Sequence, residues 1–474
     1  MKTNFLFIKV LVVLFLVSAC SSDDDEPQIQ NFSVAFENPS SSFSAADTEK
    51  DLTIVFAPAA TDDGTITLSY SLNNAVYGDQ EDFTTVPSGE TGTITLNFTA
   101  GAESVTFKVN KLRNPVEGTT KSITFRIDEI SLTNAAASGN IDLLLSFTES
   151  AALGGVFSPT VGGPNEPNQV FVDLSSQTET PVRRDTWDLA FYNGSEFRVK
   201  LNGSVYMGAA PLTATDINAV TSSDTEVTDL QALITVGAAG THVYFDDATG
   251  DITNTVIDEV SATDADNPIY LVSLGSEIGT DTPSVGSVAI TGGPRGWKKV
   301  RFLRSGDNYV VQYADLDDTT FQEATITKGT EDSFEFFSFA TDGLVDVEPA
   351  KEKWDLQFTP FPQFIDFGGG LGAYGFADFI TINTQGSVSA YMVETTSFTY
   401  EDFAVGNVDQ NAFIGDDQRV IGSSWRSVFS GSAFDDRFYV LKDPADNIYK
   451  IRFNALTNES GERGFPAFEY ELLQ

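Results

Sequence analysis

The sequence predicts an all-β protein, and three observations predict it. Short apolar runs alternate with polar residues at period two, as in "TITLSYSL" and "SVTFKVN". Gly, Thr, Ser and Asp fill the intervals between the runs, as turns require. Long stretches with a helical period are scarce. Phe is the favoured large side chain, with 38 copies against 4 Trp in 474 residues. A chain of this length exceeds one ordinary core, so several domains are expected.

The N-terminus sets the expected compartment. Residues 1–20 carry Lys2 and Lys9, an apolar run from Leu11 to Val17, and the small residues Ser18 and Ala19 before Cys20. The pattern is that of a secretory signal, too short to span a bilayer. Val17-Ser18-Ala19-Cys20 resembles a bacterial lipobox, which implies lipidation of Cys20 as the mature N-terminus. Residues 21–30 form an acidic tether, opening "SSDDDEPQ". Acids placed there resemble the surface-export signal of Bacteroidetes lipoproteins. The expected location is therefore the outer membrane, lipid-anchored and exposed at the cell surface.

The formal net charge is −41. Such a surface repels phosphate backbones and excludes nucleic acid as the expected partner. Cys20 is the sole cysteine, so an internal disulfide and a cysteine zinc site are both excluded. His242 is the sole histidine, and any Ser-His or Cys-His machinery would have to use it. No GxSxG elbow, P-loop or HExxH is present. The expectation is a binding protein rather than an enzyme.

Residues 31–148 contain five alternating runs, from "DLTIVFAP" to "SITFRIDEIS", separated by turn residues, as in a β-sandwich. Gly78-x-x-x-Asp82-Phe83, "TAGAESVTFKV" and Glu117 resemble a Calx-beta module. The resemblance implies an Ig-like sandwich and makes Asp79, Asp82 and Glu117 candidate calcium ligands. The other reading is a plain spacer.

The rest of the chain carries a repeat. "RDTWDLAF" at 184–191 and "KEKWDLQF" at 351–358 share Trp-Asp-Leu-x-Phe, 167 residues apart. Each is followed by a strand-like run, an Asn and Gly-Ser-Val, then Tyr206-Met207 or Tyr391-Met392. A second pair of segments starts at Trp297 and Trp425, with Asp307-Asn308 and Asp446-Asn447 turns as its matching points. Unequal spacing indicates diverged copies with insertions rather than a solenoid. The Trp is expected to fill a core with its indole N–H satisfied. The adjacent Asp points to the other face.

"DLSSQTETPVRRDTWDLAF", "DNYVVQYADL" and "DNIYKIRFNAL", with the lipobox, resemble the HmuY family, heme-binding surface lipoproteins of Bacteroidetes. The resemblance covers about 155–474 and suggests two modules, 155–330 and 331–474. It implies heme held between two axial side chains and passed to a TonB-dependent outer-membrane receptor. A bis-histidine site is excluded by the histidine count. Met207, Met392 and His242, in the alternating run "GTHVYFDD", are the candidate axial ligands, since thioether sulfur ligates heme iron. The alternative is a surface lipoprotein that binds a non-heme ligand, a glycan or a protein, in a structural or adhesive role. "FTPFPQFIDFGGGLGAYGFADFITIN", 358–383, offers aromatic faces for a flat ligand or a loop tucked on the core. Its Gly370-x-Gly372-x-x-Gly375 lacks the βαβ context of a dinucleotide site.

Overall fold

A computed structural model describes residues 32–43, 47–79, 81–113, 120–147, 151–152 and 154–473. Cys20, the tether 21–30 and Glu117 lie outside the described residues. The chain divides into two compact units at residue 148/149. Both are β-structures, as the alternation predicts.

The first unit is a two-sheet sandwich. One sheet orders Phe83–Val86, Ser104–Lys111, Glu49–Ala57, Phe32–Phe36 and Ala135–Ala137; the other orders Ser40–Ser42, Asp142–Ser146, Ser122–Ile130, Gly64–Asn73 and Thr93–Phe98. Burial alternates strictly along Thr93–Phe98, the signature of one face on a core and one in water. Aromatic side chains fill the gap between the sheets, with Phe107 and Phe125 edge to face at 5.1 Å.

The second unit holds eighteen strands that matter for the site. In chain order they are β1 (Gly154–Phe157), β2 (Asn168–Asp173), β3 (Thr178–Arg183), β4 (Leu189–Tyr192), β5 (Val199–Leu201) and β6 (Gly208–Leu212). Then come β7 (Ile269–Ser273), β8 (Trp297–Ser305), β9 (Asn308–Asp315), β10 (Gln322–Ile326), β11 (Phe334–Ser338) and β12 (Gly343–Val345). The last six are β13 (Leu356–Asp366), β14 (Leu371–Ile382), β15 (Ser389–Glu394), β16 (Arg437–Lys442), β17 (Ile448–Thr457) and β18 (Arg463–Leu472).

They form two matching pairs of sheets. The first half has the orders β5-β4-β11-β12 and β6-β7-β8-β9-β10. The second has β14-β13-β2-β3 and β15-β16-β17-β18-β1. Each strand of one half has its counterpart in the other, β4 matching β13 and β11 matching β2. The halves are therefore not the contiguous modules 155–330 and 331–474. Strands β1 to β3 precede the first half in sequence yet complete the sheets of the second. Antiparallel ladders fix this: Val172 pairs with Leu356, and Val156 pairs with Glu469. One half is thus inserted within the other.

The same topology corrects the second sequence repeat. The β8–β9 hairpin corresponds to β17–β18, so Lys299-Val300-Arg301-Phe302 matches Lys450-Ile451-Arg452-Phe453. Asp307 turns the β8–β9 hairpin, whereas Asp446 turns β16 into β17. Trp297 opens β8, and Trp425 precedes a two-residue strand, Arg426–Ser427, outside the matched sheets. Those Trp and Asp-Asn pairs are not equivalent. Among the described residues the sole α-helix is Thr225–Leu233, and no helix is long and apolar enough to cross a membrane.

Candidate functional site

The repeated Trp-Asp signature is a structural joint used twice. Asp188 and Asp355 are both buried. The Asp188 N–H donates to Phe337 O at 2.9 Å, and the Asp355 N–H donates to Val172 O at 2.7 Å. Their carboxylates accept from matching amides, Phe339 N at 2.7 Å and Leu174 N at 2.8 Å. Asp188 also holds Arg295 Nη2 at 2.8 Å. The Asn of each repeat closes the joint. Asn202 Nδ2 donates to Arg184 O and Trp187 O, at 2.7 and 2.8 Å. Asn383 Nδ2 donates to Lys351 O and Trp354 O, at 2.7 and 2.9 Å. Each Asn Oδ1 then accepts from the next turn, Ser204 N at 3.0 Å and Gly386 N at 2.8 Å. The turns end in left-handed residues, Tyr206 at φ 62° and Ser387 at φ 71°.

These joints aim both indoles at one place. Trp187 lies edge to face with Phe336 at 4.9 Å, and Trp354 with Phe171 at 5.1 Å. Phe336 and Phe171 occupy equivalent positions on β11 and β2. Where the halves meet there is a cavity of about 120 Å³ lined by both Trp, both Phe and residues of β13 and β14. The two halves do not line it with the same residues. Gln169 and Gln357 of the second half stand where the first half has Phe334 and Ala190.

The Trp side chains are buried, but their N–H groups are not satisfied as the sequence predicts. Among the described residues eight buried side-chain nitrogen or oxygen atoms lack a hydrogen-bond partner, and four of them belong to this lining. They are Trp187 Nε1, Trp354 Nε1, Gln169 Nε2 and Glu348 Oε1. Buried polar groups are normally paired, so a cluster of unpaired ones marks a place prepared for something else. Gln169 Oε1 accepts from Gln357 Nε2 at 3.4 Å, and Gln357 Oε1 accepts from Thr381 Oγ1 at 3.1 Å, which leaves the Gln169 amide nitrogen turned away from that chain. Burial raises the Glu348 carboxyl to about 8; Asp332 adds to the rise and Lys200 opposes it. The Lys200 ammonium lies over the Phe334 ring at 5.1 Å. A perturbed acid in an apolar cleft is the ordinary mark of a functional site.

The family description "HmuY protein" matches residues 165–470, which span both halves of the second unit. The chain belongs to the HmuY family. No curated protein matches it. Among solved structures, a two-domain protein of unknown function from Bacteroides fragilis NCTC 9343 is 11% identical, covering 74% of this chain and 94% of its own, at a TM-score of 0.20. A protein proposed to bind carbohydrate, from Bacteroides ovatus ATCC 8483, is 11% identical over 74% of this chain and 97% of its own, at 0.20. The apo Calx CBD1 domain is 12% identical, covering 25% of this chain and 98% of its own, at 0.21. At these scores the likenesses assign no ligand.

In this HmuY-family chain the three candidate heme ligands are not brought together. Met207 is buried and lines the cavity. Met392 lies on β15, 40% exposed, with Arg437 Nη1 3.9 Å from its sulfur. His242 sits on a 3-10 turn, Thr241–Tyr244, not on a strand. Its Nδ1 is 2.9 Å from Leu371 O, and its ring is edge to face with Phe364. Neither Met392 nor His242 lines the cavity. Nor are the two Met repeat-related. The Met207 N–H donates to Asn202 O, and the equivalent donor to Asn383 O is Val388.

The aromatic segment 358–383 is neither loop nor dinucleotide turn but the β13–β14 hairpin, with Phe361 stacked on Phe379 at 4.5 Å. Phe361 and its flanking prolines join the cavity wall. Of the calcium candidates, Asp82 is buried in an ion pair with Lys121 Nζ at 2.8 Å and accepts from Val76 N; Asp79 is exposed. Among the described residues no group of three His, Cys, Asp or Glu is placed to hold a metal ion. Sequence reasoning missed Gln169 and Glu348. The repeated Trp, Met207 and the 358–383 segment were the signals in the sequence that fall on their cavity.

Proposed function

We propose that this HmuY-family chain is a surface lipoprotein that captures a small ligand in the cavity between its two halves. Cys20 carries the lipid, the acidic tether and first sandwich act as spacer, and a TonB-dependent receptor takes the ligand. The observation that supports capture is the cluster of four unpaired buried polar atoms in one aromatic-walled cavity. A ligand that satisfies them recovers the desolvation penalty of each. The test is tryptophan fluorescence during titration with hemin and small polar ring compounds. Two of the four Trp line the cavity, so a captured ligand changes emission, and Trp187→Phe and Trp354→Phe should each weaken the change. Saturable binding indifferent to both substitutions would contradict the cavity as the site.

A heme reading is favoured by one observation, the presence of Met207 in the lining. It expects a saturable Soret shift that Met207→Ala abolishes and that is stronger after reduction, because thioether sulfur prefers the softer ferrous ion. A shift unchanged by Met207→Ala would remove this residue as the ligand, and no shift in either redox state would remove heme.

A further inference from the structure

The groups that line the cavity restrict the class of ligand, given that the cavity is the capture site. Three of the four unpaired groups are neutral donors: the indole N–H of Trp187, the indole N–H of Trp354, and the Gln169 amide. A ligand must therefore present acceptor oxygens or nitrogens. A wholly apolar guest would leave every one of these groups orphaned, at about 1–3 kcal/mol each.

The charges argue against an anion as the source of those acceptors. Asp246 and Asp247 line the cavity beside one base, Lys200, and Glu348 adds no positive charge. The whole chain adds a net charge of −41. A carboxylate or phosphate entering this field meets repulsion that weakly polar indole and amide donors do not offset. A cation is disfavoured from the other side, since three N–H groups present their positive ends to it. What remains is a neutral guest.

Two further features narrow it. The Glu348 carboxyl, raised by burial, can both donate and accept when protonated. The walls between the polar groups are aromatic: Phe171, Phe334 and Phe336. The matching guest is rigid, carries hydroxyl groups around its rim, and shows C–H faces to rings. A pyranose ring has that combination. We infer that the cavity binds a neutral hydroxylated ring, a sugar unit of a glycan, whose oxygens accept from the Trp187 and Trp354 indoles. The two indoles come from equivalent joints, one in each half. Gln169 and Gln357, standing where the other half has Phe334 and Ala190, make one orientation preferred.

The test uses the full mature chain with Cys20→Ser, titrated by calorimetry with methyl glycosides of neutral hexoses and pentoses, with glucuronate, and with hemin. The expected result is saturable binding of at least one neutral glycoside and weaker binding of glucuronate. Trp187→Phe and Trp354→Phe should each weaken that binding about tenfold, one hydrogen bond's worth. Glu348→Gln should keep affinity within about threefold, because an amide also donates and accepts, whereas Glu348→Leu should lose about tenfold. The Glu348 pair serves if the Trp variants fail to fold. Tighter binding of glucuronate than of its neutral counterpart would overturn the neutral class. Binding of hemin that is sensitive to the Trp variants, with no glycoside bound, would overturn the sugar inference and leave the cavity as the site. Failure of the cavity substitutions to affect any bound compound would overturn both.

Discussion

Replacing Glu348 with Gln should change how stability depends on pH. The Glu348 carboxyl has an ordinary value of 4.5 and is pushed to about 8 in the fold, chiefly by burial. Between those values the folded state holds a proton that the unfolded chain has released. Stability therefore falls as pH rises through that window, and it is level below and above it. The full displacement corresponds to at most roughly 5 kcal/mol. The side chain is partly exposed although Oε1 is buried, and Lys200 is near, so about 2 kcal/mol is the expected net effect. Gln has no proton to lose and fits the same space. The variant should match the natural chain near pH 5 and exceed it by about 2 kcal/mol near pH 8.5. Urea unfolding followed by tryptophan fluorescence isolates the relevant unit, because all four Trp lie beyond residue 148. Glu166 and Asp246 also carry raised values, but they are common to both proteins and cancel in the difference. Parallel stability curves from pH 5 to 8.5 would refute the account of Glu348 as an acid kept neutral by the cavity.

Asp188→Ala should destabilise the second unit by about 3 kcal/mol, since it strips the buried Phe339 amide and Arg295 of their acceptor; urea unfolding measures it. Asn202→Ala and Asn383→Ala should each lose about 3 kcal/mol, about one for each of the three bonds the joints share, with Asn202 losing slightly more because it also accepts from Ser204 Oγ; a disparity in folding constants of about a hundredfold or more would contradict their equivalence. In the first unit, Asp82→Ala should lose about 1–2 kcal/mol by calorimetry. Excess calcium should leave that transition unmoved in the natural chain, because Lys121 already occupies both oxygens of Asp82.

The local signals in the sequence carried far. Strand alternation in "TITLNF" appears unchanged as alternating burial along Thr93–Phe98. Trp-Asp-Leu-x-Phe marks two joints that share their backbone and side-chain bonds. What local signals could not carry was long-range pairing. Nothing in "QVFVDL" tells that it completes a sheet with Leu356 rather than with the Trp187 segment beside it, because a strand's alternation names a face and not a partner. The Trp297 and Trp425 segments are not equivalent for the same reason: ladder position, not residue identity, decides equivalence. Alternation in "THVYF" predicts a strand at His242, where the chain makes a 3-10 turn. The turn there is imposed from outside, by Gly237 and Gly240 N–H groups donating to Ala373 and Leu371 carbonyls of β14. The cavity itself was legible only in part. The Trp pair was visible, but the expectation that a buried indole is satisfied hid the observation that matters.

The most direct test of the capture site is to fill it. Ala190 lies buried on β4, pairs with Phe336, and faces the cavity. Ala190→Leu places three extra carbons there, with an overpacking penalty of about 1–3 kcal/mol that leaves the unit folded. The affinity of whichever compound the natural chain binds, hemin or a neutral glycoside, is then measured on both proteins, with tryptophan fluorescence confirming the fold. The account predicts that binding falls at least tenfold in the filled protein. Unchanged affinity in a folded Ala190→Leu chain would contradict it and place the ligand elsewhere.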